Sequence, residues 1–215
     1  HCSETFADLA RSIGVPVMIE WLIPLQYTNA DKQKIDALLK GSQLHNDRLV
    51  LIAPSVAESA KQRMWPLDRF ASVADHLVEA GKQVAFIGIP NEQPIIQQIL
   101  AMMKQKAVNL AGKTTLPETA CLATQAILLI GNDSGPMHLS AAMGTKTIGL
   151  FGPNIPLRFR PIGQHNAAIY KALCPCSPCI NVHKGQLGNC LNNDPKCMKS
   201  ITIEDVENEI KRLLA

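Results

Sequence analysis

Residues 126–153 constrain the fold more than any other part of this 215-residue chain. Residues 126–130 form an unbroken apolar run, too short for a core helix and closed by Gly131, which predicts a buried strand. Asn132, Asp133, Ser134 and Gly135 follow as a polar turn. Pro136 suits the first turn of a helix, where its missing N–H has no intrahelical partner anyway. Either Ser134 or Asp133 can cap that helix, which is expected to run through His138 and Ala141 to about Met143 and to stop at Gly144. Residues 147–151 predict a second buried strand. Strand, polar turn, short helix and strand make a βαβ unit whose free N–H groups point at whatever sits above the sheet. A phosphate suits that place, and His138 stands on the same first turn, where an imidazole can reach an anion. A plain helix cap of the same composition is the competing explanation.

The same alternation extends on either side. Helices are expected over residues 3–14 (Phe6, Leu9, Ala10 and Ile13 on one face), 31–39 and 66–81 (Leu67, Phe70, Ala74, Leu77 and Val78 inward). Further helices are expected over 92–106 (Ile95, Ile99 and Met102 or Met103 inward), 116–124 and 202–214. The last is capped by Thr202, acidic at its start and basic near its end, as the helix dipole favours. Strands are expected at 49–53, 83–88, 107–110 and 167–170, with a short extended run at 15–19 and a connection over 20–30. Strands alternating with helices imply a Rossmann-like α/β domain: a parallel sheet with helices on both faces and ligands beyond the carboxyl ends of its strands.

Composition sets the outer bounds. With 47% hydrophobic residues, 215 residues bury one sizeable α/β domain and leave two full domains cramped. A net charge of +3 with interspersed signs lacks the concentrated basic face of a nucleic-acid binder. No apolar run approaches the length of a membrane span, and no signal peptide is recognisable. The chain opens on His1 rather than methionine, as a fragment or a processed piece would. No G-x-G-x-x-G follows any expected strand, so an NAD-dependent dehydrogenase fits poorly.

The loops after successive strands should converge on one edge. The loop after the strand at 49–53 supplies hydroxyls at Ser55 and Ser59, cations at Lys61 and Arg63, and Trp65 as a core anchor. A cation there balances a diphosphate held at the turn of Asp133 to Gly135. Glu92, at the start of the next helix but one, can accept hydrogen bonds from a ribose diol or simply serve the helix dipole. Five cysteines crowd together: Cys174, Cys176 and Cys179, then Cys190 after ten residues and Cys197 after six more. Cys176-x₂-Cys179 matches half of a zinc knuckle, but the spacing of Cys190 and Cys197 is too wide for the usual second half. Three states are open: reduced thiols, a structural Zn²⁺ or Fe–S centre on Cys176, Cys179, Cys190 and Cys197 with His183 as a further ligand, or disulfides.

The ordered string Asp133-Ser134-Gly135-Pro136-Met137-His138-Leu139-Ser140-Ala141-Ala142-Met143-Gly144, followed by Leu150-Phe151-Gly152-Pro153, resembles the signature of the family-9 glycosyltransferases, the ADP-heptose:lipopolysaccharide heptosyltransferases and their relatives. The resemblance implies a GT-B fold of two Rossmann-like domains, with residues 29–215 as the C-terminal, donor-binding domain and residues 1–28 as the closing segment of the first. It implies donor contacts from Ser55, Lys61, Arg63, Glu92, Asp133, Ser134, Gly135 and His138, and a base pocket along residues 110–117. Family members typically show Lys-Arg-Trp-Pro after a Pro-Gly or Pro-Ser turn. Here one or two extra residues separate Lys61 from Trp65, so either Lys61 or Arg63 is placed to act as the family lysine.

By that resemblance the chain takes part in inverting transfer of a sugar, heptose from ADP-heptose, to a lipopolysaccharide core acceptor. It would do so in the cytoplasm, peripheral to the inner membrane face, with no required cofactor and no nucleic-acid partner. Arg158 and Arg160 are candidates for holding an anionic acceptor. The family's proposed catalytic base lies in the first domain and has no counterpart here, so no catalytic residue is assigned and the isolated chain is expected to transfer sugar poorly or not at all. Two other readings stand beside this one: a transferase using another nucleotide sugar, and a non-catalytic interaction module built on a metal-binding cysteine run.

Overall fold

The computed structural model describes residues 1–19, 22–171, 173–180, 190 and 194–215. Six parallel strands form its sheet: β1 (Leu49–Ala53), β2 (Gln83–Phe86), β3 (Val108–Asn109), β4 (Leu128–Asn132), β5 (Thr147–Phe151) and β6 (Ala167–Tyr170). Their order is β3-β2-β1-β4-β5-β6. The central pairings align Ile52 with Phe86 on one side and with Ile130 on the other. β1, β4 and β5 are buried along their whole length, as parallel strands covered on both faces must be.

Side chains alternate between two cores, because successive residues of a strand face opposite ways. On one face Val50, Ile52, Phe86, Ile130 and Leu150 meet α3 (Leu67–Glu79), α4 (Gln93–Met102) and the last helix, Ile203–Leu214, through Phe70, Ile99 and Val206. On the other, Leu51, Ala85, Leu129 and Phe151 meet α2 (Asn29–Gly41), α5 (Leu116–Thr124) and α6 (Gly135–Ala142) through Ile35, Leu122 and Met137. The first helix, α1 (Cys2–Ser12), forms as expected, but Phe6 and Leu9 on its apolar face are 73% and 68% exposed. Two four-residue helices, α7 (Pro156–Phe159) and α8 (Lys196–Lys199), complete the numbering, so the last helix is α9.

Three expectations change. β4 extends through Gly131 to Asn132, residues read as the start of the polar turn, because pairing continues on both sides: Gly131 with Ala53 and Gly149, and Asn132 with Leu150. α4 ends at Met102 rather than near Lys106, since the Asp75 carboxylate captures the backbone N–H groups of Lys104 (3.0 Å) and Gln105 (2.8 Å) and leads the chain away. Its buried face adds Ile96 to Ile99, with Ile95 and Met103 partly buried against the same core and Met102 half exposed.

α6 lies close upon the sheet. A Cβ added to Gly149 of β5 would run into Met137 Sδ and stand 2.8 Å from the Phe151 ring. One added to Gly131 would stand 3.1 Å from the Ala53 carbonyl oxygen. The helix stops where Gly144 takes a left-handed φ of +81°.

Candidate functional site

β1 and β4 are neighbours whose onward connections run to opposite sides of the sheet, to β2 and to β5. Such a switch point opens a crevice beyond the carboxyl ends of the two strands. The loop after β1 and the turn after β4 face each other across it, tied together by Asn132. Its side chain is fully buried, its Oδ1 accepts from the Trp65 N–H at 3.0 Å, and its Nδ2 donates to the Pro54 carbonyl at 2.7 Å. Trp65 is itself buried, donates its indole N–H to the Ile201 carbonyl at 3.0 Å, and meets the Phe70 ring edge-on. The loop that carries the cations is thereby anchored at its far end.

Asp133, 5% exposed, sits at the centre. Its Oδ2 lies 3.3 Å from Arg63 Nη1 and accepts from Asn154 Nδ2 at 2.6 Å; its Oδ1 lies 3.9 Å from His138 Nε2. Arg63, not Lys61, is therefore the loop cation that reaches the turn. Lys61 points outward into an ion pair with Glu58, both side chains largely exposed, and Ser59 is exposed as well. Two 3-10 turns meeting at a kink over Glu58–Arg63, with Ala60 departing from helical geometry, aim positions 61 and 63 differently. Partial burial lowers the His138 imidazole pKa below its ordinary value, with the Asp133 carboxylate opposing the shift.

Three buried side-chain polar atoms here find no hydrogen-bond partner among the described residues: Ser55 Oγ, Arg63 Nε and Ser134 Oγ. Ser134 occupies the N-cap position of α6, yet its hydroxyl makes no cap bond, so the plain-cap explanation does not account for it. Burying a donor without an acceptor costs about 1–3 kcal/mol, and such groups call for a specific reason. All three can donate, and all flank one crevice. Gly135 is exposed at the start of the same helix.

Glu92 stands apart from this group, on the loop after β2. Its Oε2 accepts from the Ile89 N–H at 2.8 Å, and the missing side chain of Gly88 leaves room for it. Burial raises the carboxyl pKa, against the bond from Ile89, which lowers it. Beside it the segment 110–117 folds back, with the Gly112 N–H donating to the Gly88 carbonyl at 2.8 Å. Arg158 stacks over the Phe159 ring at 5.6 Å, on the loop beyond β5.

Of the three states open to the cysteine run, the described residues show thiols. Among the described residues, no three or more His, Cys, Asp or Glu side chains are disposed to hold an ion. The contact that does form is Cys174 Sγ to Cys176 Sγ at 2.9 Å; Cys190 instead donates to the Asp194 carbonyl at 3.3 Å. Cys197 is buried, with its thiol pKa pushed up to about 11 by that burial. All seven cysteines are free thiols, so no disulfide replaces the metal, and His183 lies outside the described residues. Among the described residues neither Zn²⁺ nor an Fe–S cluster finds a formed ligand group, and the interaction-module reading has no described metal site behind it.

Sequence reasoning missed Asn132 and Asn154. The first was hidden because a polar residue after a glycine reads as turn, and the second because it lies one residue past the recognisable Phe151-Gly152-Pro153.

A doubly wound parallel domain with a crevice at its switch point defines the Rossmann-like class of α/β protein. Residues 4–187 match the family described as glycosyltransferase family 9 (heptosyltransferase), and the chain belongs to that family. It is 34% identical over 160 residues to lipooligosaccharide heptosyltransferase 2 of Haemophilus influenzae, covering 73% of this chain and 46% of that protein. Among solved structures, a family-9 glycosyltransferase from Veillonella parvula superposes with a TM-score of 0.83 at 23% identity, over 100% of this chain and 60% of that one. The Escherichia coli ADP-heptose lipopolysaccharide heptosyltransferase II gives 0.70 at 24%, over 89% and 53%. These two likenesses establish the GT-B-type α/β fold. The chain spans about half the length of the curated relatives it matches.

Proposed function

We propose that this chain is the donor-binding half of a glycosyltransferase that passes heptose from ADP-heptose to a lipopolysaccharide core acceptor. The observation that carries the reading is the set of three buried, unpartnered donors, Ser55 Oγ, Arg63 Nε and Ser134 Oγ, around Asp133 at the switch point. A diphosphate supplies the acceptors they lack. As the glycosidic bond breaks, the departing nucleoside diphosphate gains negative charge. Arg63 and the N–H groups at the start of α6 are already oriented to meet that charge, so no reorganisation is needed at the moment of reaction. His138, whose pKa is lowered by burial, faces the same region from the first turn of α6. Glu92 takes the ribose diol, and the segment 110–117 takes the adenine through its backbone. The reading calls for no cofactor of its own.

Residues 1–28 are assigned to the closing segment of a companion domain, in keeping with the exposed apolar face of α1. Among the described residues no helix is long and apolar enough to cross a membrane. A cytoplasmic protein meeting the inner membrane face peripherally fits an acceptor embedded there.

Calorimetric titration with ADP, UDP, GDP and NAD tests the donor. Selective ADP binding, weakened about tenfold or more by Asp133→Ala and by Arg63→Met, is expected for the loss of charge-assisted contacts. Selective UDP or GDP binding would change the donor, and no binding of any would sink the reading. Appreciable sugar transfer by the isolated chain would overturn its assignment as half of an enzyme.

A further inference from the structure

Asn154 is 3% exposed, and its Nδ2 donates to Asp133 Oδ2 at 2.6 Å from the loop beyond β5. The terminal torsion of an aspartate is soft, so the carboxylate plane goes where its hydrogen bonds send it. Here two donors, Asn154 and Arg63, converge on Oδ2 and leave Oδ1 turned to His138. Arg63 is a long, partly exposed side chain, whereas Asn154 is short, neutral and enclosed, so Asn154 is the stiffer of the two. Because it is neutral, it fixes the carboxylate without cancelling its charge.

Asn154 is held in turn by the segment that carries the cysteines. The Ser177 hydroxyl donates to the Gly152 carbonyl, and the Cys179 and Ile180 N–H groups donate to the Pro153 carbonyl at 3.0 and 3.1 Å. On its other side Gly152 lies against α8, where an added Cβ would stand 2.9 Å from Cys197 Sγ. Both peptide units before Asn154 are thus pinned by residues 177–180, with α8 closing in on Gly152.

From this geometry we infer that Asn154 is a positioning residue, which sets the orientation of Asp133 toward the bound nucleotide sugar, and that the cysteine segment is the strut that keeps it there. The inference rests on the donor-site reading above, and its test separates the two.

Two variants of nearly the same shape are informative. Asn154→Leu removes the donor, and Asn154→Asp replaces it with a second carboxylate. Facing carboxylates share one proton, so Asn154→Asp regains a donor in acid. At about pH 8 both variants should bind ADP about tenfold more weakly than the unaltered chain, as loss of a hydrogen bond to a charged group implies. At about pH 5, Asn154→Asp should recover to within about threefold of the unaltered chain at the same pH, while Asn154→Leu does not. A deficit in Asn154→Asp that ignores pH, or no deficit in either variant, overturns the inference.

A ligand-free readout stands beside it. The Asn154 side-chain amide protons, assigned as the pair lost in Asn154→Leu, should exchange slowly in the unaltered chain and freely in Asp133→Ala. Free exchange in the unaltered chain overturns the positioning role. Should the unaltered chain bind no ADP, the donor-site reading fails, and amide exchange alone decides whether Asn154 holds Asp133.

Discussion

At the amino-terminal end of β4 and β5 the Thr145 hydroxyl donates to the Ala123 carbonyl at 2.6 Å, and the Thr147 hydroxyl to the Thr145 carbonyl at 2.8 Å. Lys146 reaches the Leu213 carbonyl, and Asn166 Oδ1 accepts from the Thr147 N–H at 2.9 Å. At the carboxyl end of the same sheet, Ser55, Arg63 and Ser134 keep buried donor atoms without partners among the described residues. The first end carries a depression of about 430 Å³, lined by Asp47, Lys82, Gly144, Lys146 and Leu214 among others. Hydrogen-bond accounting favours the second. A domain closes its own polar groups wherever it can, so a cluster left open marks the place where another molecule completes the structure.

The sharpest break of that contrast is Asn132→Leu. Asn132 is an engaged polar group at the open end, and losing it strands the buried Trp65 N–H and the Pro54 carbonyl. Unfolding in urea should show a loss of about 3 kcal/mol, since two buried groups lose their partners. Thr147→Val, at the closed end, should cost about 1–2 kcal/mol by the same measurement and leave nucleotide affinity unchanged. Ser134→Ala should invert this pattern. Its hydroxyl bonds to no described residue, so stability should hold or rise by up to about 1 kcal/mol while ADP affinity falls several-fold. Loss of stability without loss of affinity would assign Ser134 to the fold instead.

The smallest effect concerns His138→Gln. Burial holds the His138 pKa below its ordinary value of 6.5, so the unfolded chain takes up that proton first as pH falls. Its contribution is full above about pH 6.5 and is lost as pH falls through that value toward the lower folded one. The unaltered chain should therefore lose more of its melting temperature between about pH 7 and pH 5 than the variant does. With 40% of the imidazole side chain exposed, solvent screening keeps the difference slight.

Local chemistry made most of the scaffold legible. β1, β5, β6 and α5 fall on the expected residues, because each is an apolar or well-capped run bounded by turn formers. The capping box of Thr202 and Asp205 starts α9 where it was expected. Sequence could also name Asp133, Ser134 and Arg63, since a strand, a polar turn and a helix start are local patterns. It could not rank Arg63 over Lys61, because a kink at Ala60 decides which cation turns inward. Asn154 and the cysteine strut were illegible for a related reason: their partners lie 21 or more positions away, and nothing within a helical turn or a strand repeat records such a contact.

Gly149, beneath α6, carries a further consequence. With no side chain there, the Met137 side chain of the helix lies directly on the main chain of β5, so one side chain rather than two sets the spacing between helix and sheet. A methyl group at position 149 would press on Met137 Sδ and the Phe151 ring, a shim beneath the helix that follows the Asp133 turn.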